Sequence, residues 1–426
     1  MLTTNTLLSF QDKLATSCLP EALRDAIHVT RELGYQYIWI DALCIIQDDD
    51  DFKQVELQKM NRIYQNAFLT IQPTLSDSVE KGFLDGRIIT PHVKLRFTNG
   101  TQSYVYARRL IPSSRDNDGP TTKRAWIFQE TALSTRLVVY NYQQAIVACQ
   151  TQTRLESAGK EPNSFLGPGL HRLIRPDRYI PVESRDATES RKAAFSGWYK
   201  AVGVQYSGRL YTVGKDRLYA LSAFAEEAHQ LIGGEYLAGL WSADLLRGLA
   251  WGPRSWRVLN KATQYRAPSW SWAALDGMVL WSTERSHIEP ISKETRVVEA
   301  WVKPEGINPY GPCLDGNLVL EALVGAASVS MKPWYEGKHI MHGQFIMTTM
   351  NGTRDVCYAH FDTTEQPESF TCVFLTGQRG LLLATHGSSF RRIGTFLLGD
   401  AFIKTSGTQG FQTWRDSCEY QMISIK

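Results

Sequence analysis

The sequence lacks the motifs from which many enzyme classes can be recognised directly. It contains no G-x-x-x-x-G-K-[ST] phosphate loop, no G-x-S-x-G serine elbow and no H-E-x-x-H zinc motif, so the sequence predicts no metal. It also contains no uncharged apolar run of about 18 residues. A basic stretch followed by an apolar one is missing from the N-terminus. We therefore expect neither a membrane partner nor a secretory signal.

Cysteine is sparse and forms no pattern. The seven cysteines are scattered and include no C-x-x-C pair. An odd number of unpaired thiols is typical of an intracellular protein, so we predict a cytoplasmic location. The net charge of +3 comes without any cluster of Lys and Arg, and no nucleic-acid partner is expected.

The length and composition indicate a folded protein of more than one domain. At 426 residues the chain exceeds a single ordinary core, and its 43% hydrophobic content is typical of globular proteins. Aromatic residues are frequent, with 12 Trp and 18 Tyr. They predict a large aromatic core or a groove for planar ligands. Trp270 and Trp272 alternate around Ser271, which favours core positions on one strand face.

One apolar stretch, residues 35–51, organises the N-terminal part. Its run from Ile38 to Ile46 predicts a strand covered on both faces. Helical patterns lie on either side, at Pro20–Leu33 and Phe52–Asn66, and Phe68–Ile71 predicts a further strand. Elements alternating in this way predict an α/β unit with a parallel sheet.

Carboxylates follow this predicted strand closely. Asp41 lies within it, Asp48 to Asp51 follow it, and Glu56 comes early in the next helix. Ligands of open parallel sheets bind outside the carboxyl ends of the strands, so these residues are candidates for a site. The alternative is that the aspartates form a solvated loop that favours the positive N-terminus of the following helix.

Two blocks of sequence resemble a known family. The stretch from Leu33 to Asp48, with Glu56, Met60, Ile63-Tyr64 and Asn66-Ala67 after it, is similar to the signature of the fungal heterokaryon-incompatibility (HET) domain. The block Lys123-Arg-Ala-Trp-Ile-Phe-Gln-Glu-Thr-Ala-Leu-Ser134 resembles a later motif of that family. The resemblance implies a TIR-like parallel-sheet domain that acts in fungal non-self recognition and programmed cell death.

The resemblance also implies a site and a shortened start. HET domains have been compared with TIR domains, some of which cleave the nicotinamide–ribose bond of NAD with one glutamate. By that likeness Glu56 is the favoured catalytic glutamate, Asp41 and Glu130 are the other candidate catalytic residues, and NAD is a candidate substrate. Members usually open with a strand of the form L-S-Y-x-W-G, and this chain starts just past it. We therefore expect an N-terminally shortened form with an incomplete sheet.

Four further residues are candidates for binding the nucleotide: Asp48, Asp49, Arg124 and Trp126. Each has a structural alternative. Glu56 is also explained as a charge at a helix N-terminus. Arg124 and Glu130 are also explained as a helix-surface ion pair or a packing link to the sheet, and Trp126 as part of the core.

The remaining chain predicts two more regions. Residues 1–150 are assigned to the HET domain, 151–285 to a mixed helical region and 286–426 to an antiparallel β-rich region. Two other functions stay open at this point. One is a non-enzymatic module that signals through self-association or protein partners, and the other is a tailoring enzyme of fungal secondary metabolism.

Overall fold

The structure is a computed structural model, and it divides the chain into two compact units, Met1–Arg172 and Leu173–Lys426. The residues that it describes are 1–74, 76–85, 92–99, 101–108, 119–141, 144–149, 152–156, 159–161, 187–254, 258–281, 295–329, 344–349, 357–398 and 408–426. The polar, Pro- and Gly-containing stretch 151–190 predicts a connector, and most of it lies outside the described residues. The domain boundaries at 150 and 285 stay predictions.

The described helices of the first unit include the two that the sequence predicted. The described α-helices are α1 (Leu7–Asp12), α2 (Glu21–Glu32), α3 (Asp41–Cys44), α4 (Asp50–Asn66) and α5 (Ala125–Leu133). Pro20 stands immediately before α2, and Gly34 follows its end with a φ of 80°, which suits glycine. The predicted helices at 20–33 and 52–66 are therefore confirmed, to within two residues at each end.

The predicted strand at 38–46 is wrong. Residues 36–40 form no helix or strand, and the chain then turns into the short helix α3. Of the apolar residues in this run, Ile45 alone is buried, and Tyr37 is 89% exposed. A strand needs a hydrogen-bonded neighbour, and no described strand pairs with this segment.

The sheet of the first unit is mixed. Its order is β1 (Thr70–Pro73), β4 (Arg136–Tyr140), β5 (Ala145–Cys149), β6 (Thr153–Leu155) and β7 (Gly159–Glu161). Among the described strands of this sheet, β1 and β4 run parallel, with Thr70 opposite Leu137, and the other pairs are antiparallel. The fold is therefore mixed α/β as predicted, but one pair of strands makes up the parallel part of this sheet in the described residues.

Strand-like residues at 93–97 and 103–107, on either side of Thr98-Asn-Gly-Thr101, predict a β-hairpin in the first unit, and the structure confirms it. It comprises β2 (His92–Asn99) and β3 (Thr101–Arg108), which pair from His92 with Arg108 to Asn99 with Thr101. Asn-Gly between the strands is a strong hairpin signal.

The second unit begins with helices and a tryptophan-rich core. The helices are α6 (Ala187–Lys200), which continues as a π-helix (Ala201–Tyr206), α7 (Asp216–Ile232) and α8 (Leu245–Gly248). Short strands follow: β8 (Tyr236–Leu237), β9 (Leu240–Trp241), β10 (Trp251–Pro253), β11 (Asn260–Lys261), β12 (Leu275–Asp276) and β13 (Val279–Trp281). Trp270 and Trp272 are fully buried core residues, although Trp272 begins a 3-10 helix and is not in a strand.

The rest of the second unit is a β structure with one helix, α9 (Gln409–Asp416). Its strands are β14 (Arg296–Pro304), β15 (Cys313–Val329), β16 (Gln344–Thr349), β17 (Tyr358–Phe361), β18 (Ser369–Phe374), β19 (Arg379–His386), β20 (Ser389–Leu397) and β21 (Glu419–Ile425). Strands β15, β16, β17, β20, β19 and β18 pair in a closed ring of antiparallel neighbours. The described strands from residue 296 onward pair antiparallel, apart from one parallel contact between β20 and β21, as the strand-rich pattern predicts. The extent of the region, 286–426, stays a prediction. No described helix is both long enough and apolar enough to cross a bilayer.

Candidate functional site

A cavity of about 380 Å³ opens in the first unit, beside β1 and the start of α5. Its apolar wall comes from α2, Trp39, Ile40 and Phe83. Polar side chains from five segments also line it: Asp41, Tyr64, Gln72, Ser76, Asp77, Thr121, Arg124, Glu130 and Thr131. A cavity of this size with a few convergent polar groups is the usual form of a small-molecule site.

Tyr64 and two carboxylates form the chemical centre of this cavity. Burial raises the pKa of the Tyr64 hydroxyl well above its usual value, and the negative charges of Glu130 and Asp41 raise it further. Tyr64 also makes a hydrogen bond to the Glu130 side chain, in which the protonated phenol is the donor. Trp39 packs edge-on against the Tyr64 ring at 5.9 Å between centroids. The structure thus places the neutral hydroxyl of Tyr64 close to the carboxylates of Glu130 and Asp41.

Local structure explains how these residues reach the cavity. Asp41 is the first residue of α3, and its carboxylate accepts a hydrogen bond of 2.7 Å from the Ala42 amide. Glu130 lies on the cavity side of α5, and Arg124 stands immediately before that helix. Thr131, one residue after Glu130, donates to the Gln72 side chain at 3.2 Å and so ties α5 to β1.

A second cavity of about 490 Å³ adjoins the first. Both are lined by Trp39, Tyr64, Glu130 and parts of β1, while Tyr35 and Phe68 line the second one alone. The two rings of Tyr35 and Phe68 lie 4.8 Å apart. Together the cavities form a groove that both the segment 35–40 and β1 line. β1 is the last strand of its sheet, and no described strand pairs with the edge that does not face β4.

Three of the predicted site residues meet in the first cavity, namely Asp41, Arg124 and Glu130. They come from the two separate blocks of sequence that carried the resemblance, so the fold brings both blocks to one place. Glu56 is placed elsewhere. It lies on α4 outside the lining of this cavity, and its carboxylate forms an ion pair of 2.5 Å with Lys59. Its side chain is 17% exposed.

The predicted nucleotide-binding aspartates have structural partners. Asp48 accepts hydrogen bonds from the Thr4 amide at 2.8 Å and the Thr4 hydroxyl at 2.7 Å, and these bonds lower its pKa. Asp49 caps α4 by accepting from the Phe52 amide at 2.9 Å. Trp126 is half-buried on α5 and outside the cavity lining. These positions support the structural alternatives for the two aspartates.

Tyr64, Gln72 and Thr131 line the cavity but were not predicted as site residues, although Tyr64 and Thr131 belong to the residues that carried the resemblance. Tyr64 falls on the apolar face of α4, so its spacing indicated a core residue. Gln72 lies in β1, and its side-chain amide is buried. A buried polar side chain needs a hydrogen-bond partner, so an uncharged polar residue in an apolar run was the one signal of its role that the sequence offered.

Comparison with protein families identifies the N-terminal part. The family model described as Heterokaryon incompatibility protein (HET) matches residues 3–130. No curated protein and no solved structure matches the chain. The matched residues include α2, α4, β1 and the Arg124–Glu130 segment, and thus every polar group named in the first cavity except Thr131. The chain therefore carries a heterokaryon-incompatibility (HET) domain over residues 3–130.

Proposed function

We propose that the HET domain hydrolyses the nicotinamide–ribose bond of an NAD-type nucleotide in the cytoplasm. In this proposal the reaction is the effector step of fungal non-self recognition and ends in programmed cell death. The observation that supports it most directly is the convergence of Glu130, Asp41 and Tyr64 on one cavity. The likeness to TIR domains is part of the proposal and motivates the choice of bond.

The chemistry needs a carboxylate more than a metal. When the bond between ribose C1′ and the nicotinamide nitrogen breaks, its electron pair neutralises the pyridinium ring and the ribose acquires oxocarbenium character. A water oxygen then bonds to C1′ and loses a proton, which gives nicotinamide, ADP-ribose and H⁺. A carboxylate held beside C1′ stabilises the positive charge as it develops.

Each polar residue has a role in this scheme. Glu130, held by the Tyr64 hydroxyl, faces the developing charge, and Asp41 accepts from the ribose hydroxyls. Arg124, at the N-terminus of α5, pairs with the diphosphate, which both a guanidinium and a helix N-terminus favour. The first cavity has room for the nicotinamide riboside half of the nucleotide. Glu56 stays the other candidate for the carboxylate.

The test is NAD loss and nicotinamide release by the purified full chain. We expect Glu130→Gln to lower the rate about 100-fold or more, because it removes the stabilising charge but keeps the shape. Asp41→Asn should lower it less. Glu32→Gln, on an exposed position of α2, is the matched control and should leave the rate unchanged.

Two outcomes would contradict this assignment. Wild-type protein without turnover would remove the hydrolase proposal. Turnover that survives Glu130→Gln but disappears with Glu56→Gln would move the reacting carboxylate to α4.

A second candidate function is the non-enzymatic, self-associating signalling module. It is favoured by the edge of β1, where no described strand pairs and an apolar groove lies open. Such an edge can accept a strand from another chain. Molecular mass measured by light scattering over a range of concentrations tests this function, and a monomer throughout would contradict it. The tailoring-enzyme alternative stays a prediction, and Trp270 and Trp272, which are buried in the core, do not support it.

A further inference from the structure

The hairpin of β2 and β3 has two chemically different faces. Residues directly opposite one another on paired strands share a face. Val93 pairs with Ala107 and Leu95 with Val105, which makes one face apolar. Lys94 pairs with Tyr106 and Arg96 with Tyr104, and these residues form the other face. The ribbon is therefore amphipathic with the period of two that a strand requires.

Both faces are exposed. On the apolar face Val93 is 62% exposed, Leu95 50% and Val105 51%. On the other face Tyr104 is 49% and Tyr106 57% exposed. A two-stranded ribbon is only marginally stable by itself, and the exposure of an apolar face to water makes it less stable still. Contiguous exposed apolar side chains of this kind mark an interaction surface.

The charge of the ribbon has one sign. Residues 92–108 include Lys94, Arg96 and Arg108 and contain no Asp or Glu. The ammonium group of Lys94 lies 3.9 Å from the centre of the Tyr104 ring and 5.9 Å from that of Tyr106. His92 packs edge-on against Tyr106 at 5.2 Å. The polar face is thus a basic and aromatic layer, to which an anionic surface is complementary.

We propose that this hairpin binds the surface of an anionic lipid bilayer. The apolar face enters the boundary of the acyl chains, and the lysine and arginine on the other face reach the phosphates of the head groups. Tyrosines suit that depth because their rings are apolar and their hydroxyls are polar. Binding of this kind is peripheral and does not require a membrane-spanning segment. The proposal also does not depend on nucleotide hydrolysis.

The two faces together favour lipid over other anionic partners. A nucleic acid would be bound by the basic and aromatic face alone, and the exposed valines and leucine would stay in water. A bilayer uses both faces at once. A second copy of the chain would cover the apolar face but would leave the basic and aromatic face without an anionic partner.

The experiment measures sedimentation of the full chain with vesicles. The vesicles contain phosphatidylcholine alone or phosphatidylcholine mixed with phosphatidylserine, at low and at high ionic strength. We expect binding to the mixed vesicles only, with weaker binding at high salt. The double variant Lys94→Gln with Arg96→Gln should weaken binding roughly 30-fold, about fivefold for each removed charge.

The apolar face is tested by Leu95→Asp, which should abolish detectable binding. Val213→Asp is its matched control, because Val213 is 52% exposed on the second unit. Lys13→Gln with Arg62→Gln is the control for net charge, since both residues are exposed outside the hairpin. Both controls should bind as wild type does, and circular dichroism confirms that each variant is folded.

Several results would overturn the proposal. They are wild-type protein that stays in the supernatant, equal binding to both kinds of vesicle, and equal loss in the hairpin variants and their controls. Two others would assign the hairpin to a different partner. If the protein binds a single-stranded oligonucleotide and Leu95→Asp leaves that binding intact, the partner is a nucleic acid. If wild type does not bind lipid and Leu95→Asp changes the molecular mass, the partner is a second copy of the chain.

Discussion

The buried ion pair of the second unit gives the sharpest prediction about stability. Arg392 and Asp362 are joined by two hydrogen bonds, of 2.8 Å from Nε and 3.2 Å from Nη2, and their side chains are 0% and 3% exposed. The guanidinium also donates to the carbonyls of Leu249 at 2.7 Å and Trp251 at 2.6 Å. Its central carbon lies 3.3 Å from the centre of the Trp251 ring.

Asp362→Asn removes the only negative charge in this set and leaves the guanidinium buried without a counter-charge. Burial raises the pKa of the Asp362 carboxyl, and the positive charge of Arg392 opposes that shift. The charged form of Asp362 therefore depends on Arg392 as well. Breaking a buried pair in this way costs about 3–5 kcal/mol. We expect the free energy of unfolding of the full chain to fall by that amount, measured by urea titration with tryptophan fluorescence.

A neighbouring pair provides the control. Glu365 accepts from Lys261 at 2.5 Å and from Arg391 at 2.6 Å, but its side chain is 42% exposed. Glu365→Gln should therefore cost under about 1 kcal/mol. Equal losses in Asp362→Asn and Glu365→Gln would refute the reasoning, since the expected difference rests on the burial of Asp362 and the exposure of Glu365.

Two other predictions concern the second unit. Burial lowers the pKa of His360 to about 3, whereas an unfolded histidine has a pKa near 6.5. Below pH 6.5 the unfolded chain binds the proton more tightly, so stability should fall by about 2 kcal/mol from pH 7 to pH 5. His360→Leu should remove that part of the pH dependence in urea titrations, and the exposed His386→Gln should not. Gly239→Ala should raise the free energy of the folded state by about 2–4 kcal/mol, because φ is 95° and a Cβ would lie 2.5 Å from Nε1 of Trp272. Gly306→Ala, with no atom within 4 Å, should change the melting temperature little, and equal shifts would contradict the steric account.

The elements that the sequence predicted well are those with local signals. The helix α2 is bounded by Pro20 and Gly34, and the hairpin is marked by Asn99-Gly100. The apolar run at 38–46 has no such signal. Whether it becomes a strand depends on a hydrogen-bonded neighbour that is distant in sequence, and no described strand takes that place.

The candidate site was predictable in part for the same reason. Asp41 and Glu130 were found because the resemblance marked both blocks, but spacing could not show that they face one cavity. Tyr64 was missed because the helical period places it among apolar residues. The role of a tyrosine in a site depends on what its hydroxyl meets, here Glu130, and that contact spans 66 positions of the sequence.

The position of β21 has a consequence for how the protein is made. This strand pairs along seven residues of β15, from Leu318 with Ile425 to Val324 with Glu419, and it also meets β20 at Phe390. During synthesis, about 100 residues must follow β15 before its partner leaves the ribosome. Until then the edge of β15 that β21 will cover has no partner over those residues. We therefore expect nascent chains that stall before residue 419 to depend on chaperones.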